Sequence, residues 1–234
     1  MSMWYPENKH ELNEVLHKFL KTGKRKKQVK GIIVPHAGYE YSGAVAGIAF
    51  SVVKTPIKKA IIIGPSHYVY LYDAMTSNKD YWETPLGKIK LFNTDFFRGD
   101  IEQEHSIKNQ VPFLQKIRCN EILPLMIGKI TDEQAQEIAK KLAKIKALYV
   151  FSTDLSHFLP YEQAVERDKE TIEAIESLDL KNFSNVDACG YYPLLVMMHL
   201  CKLKKTKPIL IEYKNSGDVT GDKSAVVGYA SFWF

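Results

Sequence analysis

Three histidines and an aspartate follow apolar segments that have the composition of buried strands. His36 comes directly after VKGIIVP, and His67 comes directly after AIIIGPS, 31 residues further along the chain, which is the length of one β-α-β unit. A third segment, ALYVF, leads into STDLSH, which carries Asp154 and His157. The carboxyl ends of parallel strands meet at one edge of a sheet, where open α/β sheets bind their ligands. The sequence therefore predicts a site at this edge, formed by residues that follow three different strands.

A single histidine at a strand end is more often an ordinary hydrogen-bonded loop residue than a ligand. Three histidines at equivalent positions favour a functional site instead. The surrounding loops, HAGYEYSG and GPSH, are rich in glycine, proline and tyrosine. Such loops are expected to shape a partly aromatic pocket.

Cys189 is a further candidate, because it lies in DACG just before the apolar helical pattern 190–203. Unpaired N–H groups and the helix dipole lower the pKa of a thiol at a helix N-terminus. This position predicts a thiolate that is a metal ligand or a nucleophile; the alternative is a small buried residue at a helix start. Cys119 and Cys201 are expected to be structural, and the three cysteines show no CxxC spacing, which suits a reducing compartment.

The elements that must position these residues alternate between short apolar runs and longer amphipathic ones. Nearly continuous Val, Ile and Leu is typical of strands buried on both faces. The predicted strands are 29–34, 60–63, 122–127, 147–151, 208–213 and 225–231. The predicted helices are 43–53 capped by Ser42, 107–117 capped by Ser106, 132–146 opened by a capping box of Thr131 and Gln134, 161–177 and 190–203. This alternation predicts a single α/β domain over residues 1–234, with a largely parallel or mixed central sheet flanked by helices.

Composition narrows the class of protein. The chain has 234 residues, 45% of them hydrophobic and 25% charged, with a net charge of +5. These proportions exclude a disordered chain, a coiled coil and a disulfide scaffold. No apolar run is long enough for a membrane helix, and the N-terminus lacks a signal peptide, so a cytoplasmic protein without a membrane partner is expected.

The basic stretch Lys24, Arg25, Lys26, Lys27 and Lys30 is read as a solvated loop; the alternative is a patch for nucleic acid or an anionic membrane.

Motifs of several common enzyme classes are absent from the sequence. There is no GxxxxGK[ST], GxGxxG, HExxH or GxSxG, so no nucleotide cofactor is predicted. Hydrolysis by Cys189 with a histidine is chemically conceivable, but no nucleophile signature accompanies this cysteine.

Six motifs in order resemble the Memo family, whose prokaryotic members are called AmmeMemoRadiSam system protein B. They are WYP, PHAGYEYSG, GPSH, EHSIKNQVPFLQ, STDLSH and DACG, and the C-terminal NSGDVTGDKSAVVGYA is similar as well. The resemblance covers nearly the whole chain. That family in turn resembles the class III, non-haem iron extradiol dioxygenases, which share an α/β fold.

The resemblance implies roles for individual residues. His36, His67 and Cys189 match the metal-binding positions of the family. The dioxygenases have a glutamate as their third ligand, and the thiol that replaces it here is softer and more easily oxidised. His157 matches the acid/base histidine of the dioxygenases, and Asp154 lies three residues before it. His105 is a further pocket candidate, and Trp4, Tyr39 and Tyr41 match aromatic residues that line the cleft of the family.

The resulting expectation is a protein that binds iron or copper and performs oxygen-linked or redox chemistry on a small molecule or peptide. The alternative is a non-catalytic adaptor that holds a peptide or a partner protein in the same cleft. A metal-dependent hydrolase is a third possibility, which no motif specifically supports. Prokaryotic members of the family occur with a radical-SAM protein and a second small protein, which the resemblance implies as partners; nucleic acid is not expected.

Overall fold

A mixed β-sheet runs through the computed structural model, which describes residues 4–21, 27–180 and 183–234. Within these residues the sheet has eleven strands. They are β1 (Gly31–Val34), β2 (Ile57–Pro65), β3 (Ala74–Ser77), β4 (Tyr81–Thr84), β5 (Gly87–Leu91), β6 (Phe97–Gly99), β7 (Cys119–Ile127), β8 (Leu148–Ser152), β9 (His157–Leu159), β10 (Ile209–Asn215) and β11 (Val226–Trp233). Lys24, Arg25 and Lys26 of the basic stretch lie outside the described residues.

The centre of the sheet is parallel and its margins are mixed. The main strand order is β10-β11-β1-β8-β2-β7-β3-β6. Strands β1, β8, β2 and β7 run parallel to one another, whereas β11 pairs antiparallel with β1, β10 and β9. The three strands that precede the predicted site, β1, β8 and β2, are therefore direct neighbours whose carboxyl ends meet.

Helices cover both faces of the sheet. They are α1 (Lys9–Leu20), α2 (Tyr39–Val52), α3 (His105–Lys108), α4 (Val111–Lys116), α5 (Asp132–Ala143), α6 (Tyr161–Ser177), α7 (Tyr191–Lys204) and α8 (Ser216–Thr220). Side chains of α1 to α4 pack with Ile32 and Val34 on one face, and those of α5 to α7 pack with Ile33 on the other. This alternation buries β1 on both sides, as its apolar composition predicts. Within the described residues, no helix combines the length and apolar character needed to cross a membrane.

The structure confirms the predicted strands and most of the predicted helices, but two predicted caps are wrong. Helix α2 begins at Tyr39, capped by Gly38, so Ser42 lies inside the helix and donates to the Ala37 carbonyl oxygen. The pattern 107–117 forms two short helices, and the first is capped by Glu104 rather than Ser106. Pro112 explains the break, because proline has no N–H to continue the helical ladder. The Thr131 and Gln134 capping box is present at α5 as predicted.

A buried carboxylate fixes the loop that carries Asp154 and His157. Asp168 of α6 is fully buried; it accepts hydrogen bonds from the Ser156 backbone N–H at 2.9 Å and from the Tyr213 hydroxyl at 2.8 Å. Gly228 of β11 lies against this carboxylate, and its own N–H donates to the Ser156 carbonyl oxygen at 2.9 Å. A Cβ at position 228 would lie only 1.9 Å from Oδ2 of Asp168. Glycine is therefore required where β11, α6 and the loop meet.

Replacing Gly228 with alanine is expected to destabilise the fold. The new methyl group must displace Asp168, and overpacking of this kind costs about 1–3 kcal/mol. Chemical denaturation would measure the free energy of unfolding. The control is Lys214→Ala on the neighbouring strand β10, an exposed position where a substitution is expected to change stability by less than about 0.5 kcal/mol. Equal stability of the two variants would show that Gly228 is not needed there.

Candidate metal centre

The predicted site residues follow the carboxyl ends of three adjacent parallel strands. His36 lies two residues after β1, His67 two residues after β2 and Asp154 two residues after β8. Cys189 approaches from the loop before α7. The topology thus brings together residues that are more than 150 positions apart in the chain.

His36, His67 and Cys189, here called the His/His/Cys centre, have the geometry of a metal-binding group. One possible ligand atom from each residue lies within 4.8 Å of the others. Sγ of Cys189 is 3.3 Å from Nε2 of His36, and the two imidazole rings have centroids 5.2 Å apart. Side chains at these separations can converge on one ion after small adjustments, since metal–ligand bonds are about 2.0–2.3 Å long.

His36 is held in place from three directions. Its backbone N–H donates to Oδ1 of Asp154 at 2.7 Å, its Nδ1 is 3.0 Å from the Ser152 hydroxyl, and its carbonyl oxygen accepts from the Asn109 side chain at 2.7 Å. Burial lowers the pKa of His36 well below its usual range, and the nearby His67 lowers it further. The imidazole is therefore neutral, which is the form that binds metals.

The prediction that the pKa of Cys189 is lowered is wrong when only the groups of the protein, without a bound cation, act on the thiol. Burial and the negative charge of Asp154 raise the pKa of this thiol, although the Asp154 backbone N–H donates to Sγ at 3.2 Å. The reason is positional, since Cys189 precedes the Gly190 cap and packs against the loop after β8 rather than over the first turn of α7. A bound cation would reverse this effect and favour the thiolate.

The glycine that follows Cys189 has a steric explanation. A Cβ at Gly190 would lie 2.5 Å from Cβ of Thr153. The absence of a side chain lets the Gly190 N–H donate to the Thr153 hydroxyl at 2.9 Å. Gly190 thus allows the thiol of Cys189 to lie against the loop after β8.

Glu104, which the sequence reasoning missed, orients His67. Its side chain is 2% exposed; Oε2 accepts from the His67 backbone N–H, and Oε1 is 2.8 Å from Nδ1 of His67. Oε1 also accepts from the Ser106 N–H at 3.0 Å. Burial raises the pKa of Glu104, but the hydrogen bonds from His67 and Ser106 outweigh it and lower the pKa to about 2. The available signal was the acidic residue directly before the histidine in EHSI.

His105 lies beside His67 and Glu104. Its ring stacks on Trp4 with centroids 4.1 Å apart, and its Nδ1 is 2.8 Å from the Tyr68 hydroxyl. The ring centroids of His105 and His67 are 4.4 Å apart. Burial lowers the pKa of His105 to about 4, and its proximity to His36 and His67 acts in the same direction.

Asp154 lies beneath the centre, whereas His157 lies at its rim. Asp154 is 4% exposed, its Oδ2 is 3.9 Å from Nε2 of His36, and burial raises its pKa. His157 is exposed on β9, and among the described residues its ring makes no hydrogen bond. It is nevertheless close enough for its charge to lower the pKa values of both His36 and Asp154.

The three aromatic residues expected to line a cleft lie in different surroundings. Trp4 stacks on His105, and Tyr41 is 37% exposed. Tyr39 does not line a cleft: it is 5% exposed, packs against Phe113 in the core and donates its hydroxyl to the Asn109 carbonyl oxygen. Its place on the inward face of α2 explains this correction. Tyr68, 56% exposed, is an aromatic residue of this region that the sequence reasoning did not select.

The buried imidazoles predict a loss of stability in mild acid. His105 has a folded pKa of about 4 and an ordinary value of 6.5, so between these values the unfolded chain binds a proton that the folded chain does not. Stability should therefore decrease as the pH falls from about 6.5 to about 4, by up to about 1.4 kcal/mol per pH unit for this group. Denaturation of metal-stripped protein as a function of pH would measure the slope. His105→Gln should reduce the slope, and His17→Gln, at an exposed position on α1, should leave it unchanged; equal slopes in the two variants would contradict the assignment.

Comparison with known proteins agrees with the sequence motifs. The family model described as "Memo-like protein" matches residues 2–233. A "MEMO1 family protein" of Aquifex aeolicus is 34% identical over 258 aligned positions, which cover 99% of this chain and 96% of the relative. Relatives with the same family name in Sulfurisphaera tokodaii and Thermoplasma acidophilum are 37% and 32% identical, over 86% and 97% of this chain and 81% and 94% of their own lengths. The chain belongs to the Memo family.

Proposed function

We propose that this protein binds iron or copper through His36, His67 and Cys189 and performs oxygen-linked or redox chemistry on a small molecule or peptide. The observation that carries the proposal is the convergence of two imidazoles and a thiol within 4.8 Å. The proposed setting is the cytoplasm, beside a radical-SAM protein and a second small protein.

The donor set fits a transition metal. Thiolate and imidazole ligands favour iron, copper and zinc, whereas magnesium and calcium prefer oxygen ligands. A neutral His36 needs no deprotonation, so the thiol of Cys189 supplies the proton that metal binding must release. When bound with open coordination positions, iron or copper would supply the redox chemistry that the side chains lack.

The surrounding residues of the chain would bind the substrate and move protons. His157 is exposed at the rim and can exchange a proton between a bound substrate and solvent. Asp154 holds the backbone of His36 and contributes negative charge near the centre. The stacked Trp4 and His105 form a flat wall against which an apolar or aromatic group can be oriented.

A non-catalytic adaptor is the second candidate, and exposed aromatic side chains favour it, two of which lie against His105 and His157. Tyr41, Tyr68 and Phe158 are 37%, 56% and 74% exposed. Aromatic anchors often dominate the binding energy of protein interfaces. In this case the centre would be structural, and partner binding would depend on the aromatic rim.

The metal assignment predicts a difference between two cysteines. Cys189→Ser should weaken iron or copper binding by at least about tenfold, since a ligand is lost, whereas Cys201→Ser, in the core of α7, should retain it. Metal analysis of protein purified without oxygen, followed by competition with a chelator, would measure both. Equal retention would contradict the assignment, and native protein that contains only zinc would contradict the redox chemistry.

The pH dependence of metal affinity gives a sharper test of the same ligand. If binding releases one thiol proton, the affinity of the wild-type chain should rise about tenfold per pH unit across the neutral range. In Cys189→Ser this dependence should largely disappear. A pH-independent affinity in the wild-type chain would show that Cys189 does not bind as a thiolate.

A separate comparison distinguishes the enzyme from the adaptor. His157→Asn should retain the metal and the ligand but lose about 10²–10⁴-fold in turnover or oxygen consumption, as expected for a proton-transfer residue. For an adaptor, Trp4→Ala or Tyr41→Ala should weaken partner binding, and His157→Asn should have almost no effect. The enzyme proposal fails if metal-loaded protein consumes no more oxygen than a metal-free control while a partner binds through Trp4 and Tyr41.

A further inference from the structure

We propose a second cation site next to the His/His/Cys centre, formed by His67, Glu104 and His105 and here called the Glu104 site. One possible ligand atom from each of the three residues lies within 4.8 Å of the others. The site shares His67 with the centre proposed above, so it rests in part on that proposal. The two together would make a two-cation centre.

The two distances from the carboxylate to the imidazoles are those of ligands around one ion. Oε1 of Glu104 is 2.8 Å from Nδ1 of His67 and 3.4 Å from Nδ1 of His105. The Tyr68 hydroxyl is 2.8 Å from the same nitrogen of His105 and can act as a fourth donor. Ligands bound at about 2.0–2.2 Å lie about 2.8–3.6 Å from one another in octahedral and tetrahedral geometries.

The charge at this position favours a cation. Glu104 is 2% exposed, and its ion-pair partners among the described residues are His67 and His105, with neither lysine nor arginine within reach. The hydrogen bonds from His67 and Ser106 already keep this carboxylate ionised, so it offers a metal ion an anionic oxygen donor. Entry is open from outside, because the His67 side chain is 27% exposed and Tyr68 is 56% exposed.

The shared histidine can serve both positions because its two ring nitrogens point in different directions. Nδ1 of His67 faces Glu104, which leaves Nε2 for the side occupied by His36 and Cys189. When both positions are filled, a cation at the Glu104 site would replace the Nδ1 proton of His67, which leaves to solvent, and His67 would bridge the two cations as an imidazolate. The Glu104 site offers only nitrogen and oxygen donors, so its preferred ions are divalent cations such as Zn²⁺, Fe²⁺ and Mn²⁺, without the soft thiolate of its neighbour.

A simpler reading gives Glu104 an orienting role only. Carboxylates commonly accept a hydrogen bond from the outer nitrogen of a metal-binding histidine. This reading predicts one cation per chain, whereas the two-site proposal predicts two.

Cobalt(II) is a suitable probe, because only a Cys189-containing centre can produce a sulfur-to-cobalt charge-transfer band. Equilibrium dialysis without oxygen would count the bound ions, and absorption would report the thiolate ligand. Wild-type protein should bind two Co²⁺ and show the band. Cys189→Ala should bind one without the band, and His105→Ala should bind one with the band. The control Glu102→Gln, two residues from Glu104 and paired with Lys79, should still bind two.

If the wild-type protein binds one Co²⁺ with the sulfur band and His105→Ala also binds one, the Glu104 site is overturned. The His/His/Cys centre is then unaffected. Conversely, one ion bound without the sulfur band, and lost in His105→Ala, overturns the His/His/Cys centre and supports the Glu104 site. Circular dichroism would verify that each variant is folded. If His105→Ala unfolds, Glu104→Gln replaces it, and retention of two ions in that variant likewise overturns the proposal.

Discussion

Asp154 connects two of the three proposed ligands, and the geometry of the candidate centre depends on it. Its carboxylate accepts the backbone N–H of His36, its own N–H donates to Sγ of Cys189, and its carbonyl oxygen accepts the N–H of Cys189. These bonds join the loop after β1 to the loop before α7 through the end of β8. A thiol and an imidazole from distant parts of the chain are thereby held 3.3 Å apart.

The backbone at His67 is held in the same way as that at His36, by a different carboxylate. The backbone N–H of His67 is bound by the buried carboxylate of Glu104, as that of His36 is bound by Asp154. Each metal-competent histidine therefore has its loop backbone anchored by a carboxylate from another segment. Supporting residues of this kind fix ring orientation before any ion arrives, which reduces the reorganisation that binding requires.

The charges of the groups around the centre favour the binding of a cation. Burial keeps His36 and His105 neutral and raises the pKa of Cys189, so the protein groups alone disfavour the thiolate. The two buried carboxylates, Asp154 and Glu104, have no lysine or arginine partner among the described ion pairs. Uncharged nitrogen and sulfur donors between two carboxylates form an environment that a cation would stabilise.

The sequence by itself determined the six most apolar of the eleven strands and the edge of the sheet at which the candidate site lies. Apolar runs such as those of β1 and β8 are typical of buried strands, and a histidine directly after such a strand emerges at its carboxyl end. The Thr131 and Gln134 capping box was equally readable, because its hydrogen bonds are local. The family motifs added His36, His67 and Cys189 as the expected ligand set.

Only the tertiary structure decided the environment of each side chain. Glu104 became an anchor for His67 because α3 packs beside the end of β2, a contact that no local pattern encodes. Tyr39 entered the core because the inward face of α2 meets α4, and the pKa of Cys189 rose because a distant aspartate lies beside it. Local sequence sets backbone conformation, whereas burial and charge proximity depend on segments far apart in the chain, and these determine what the site can bind.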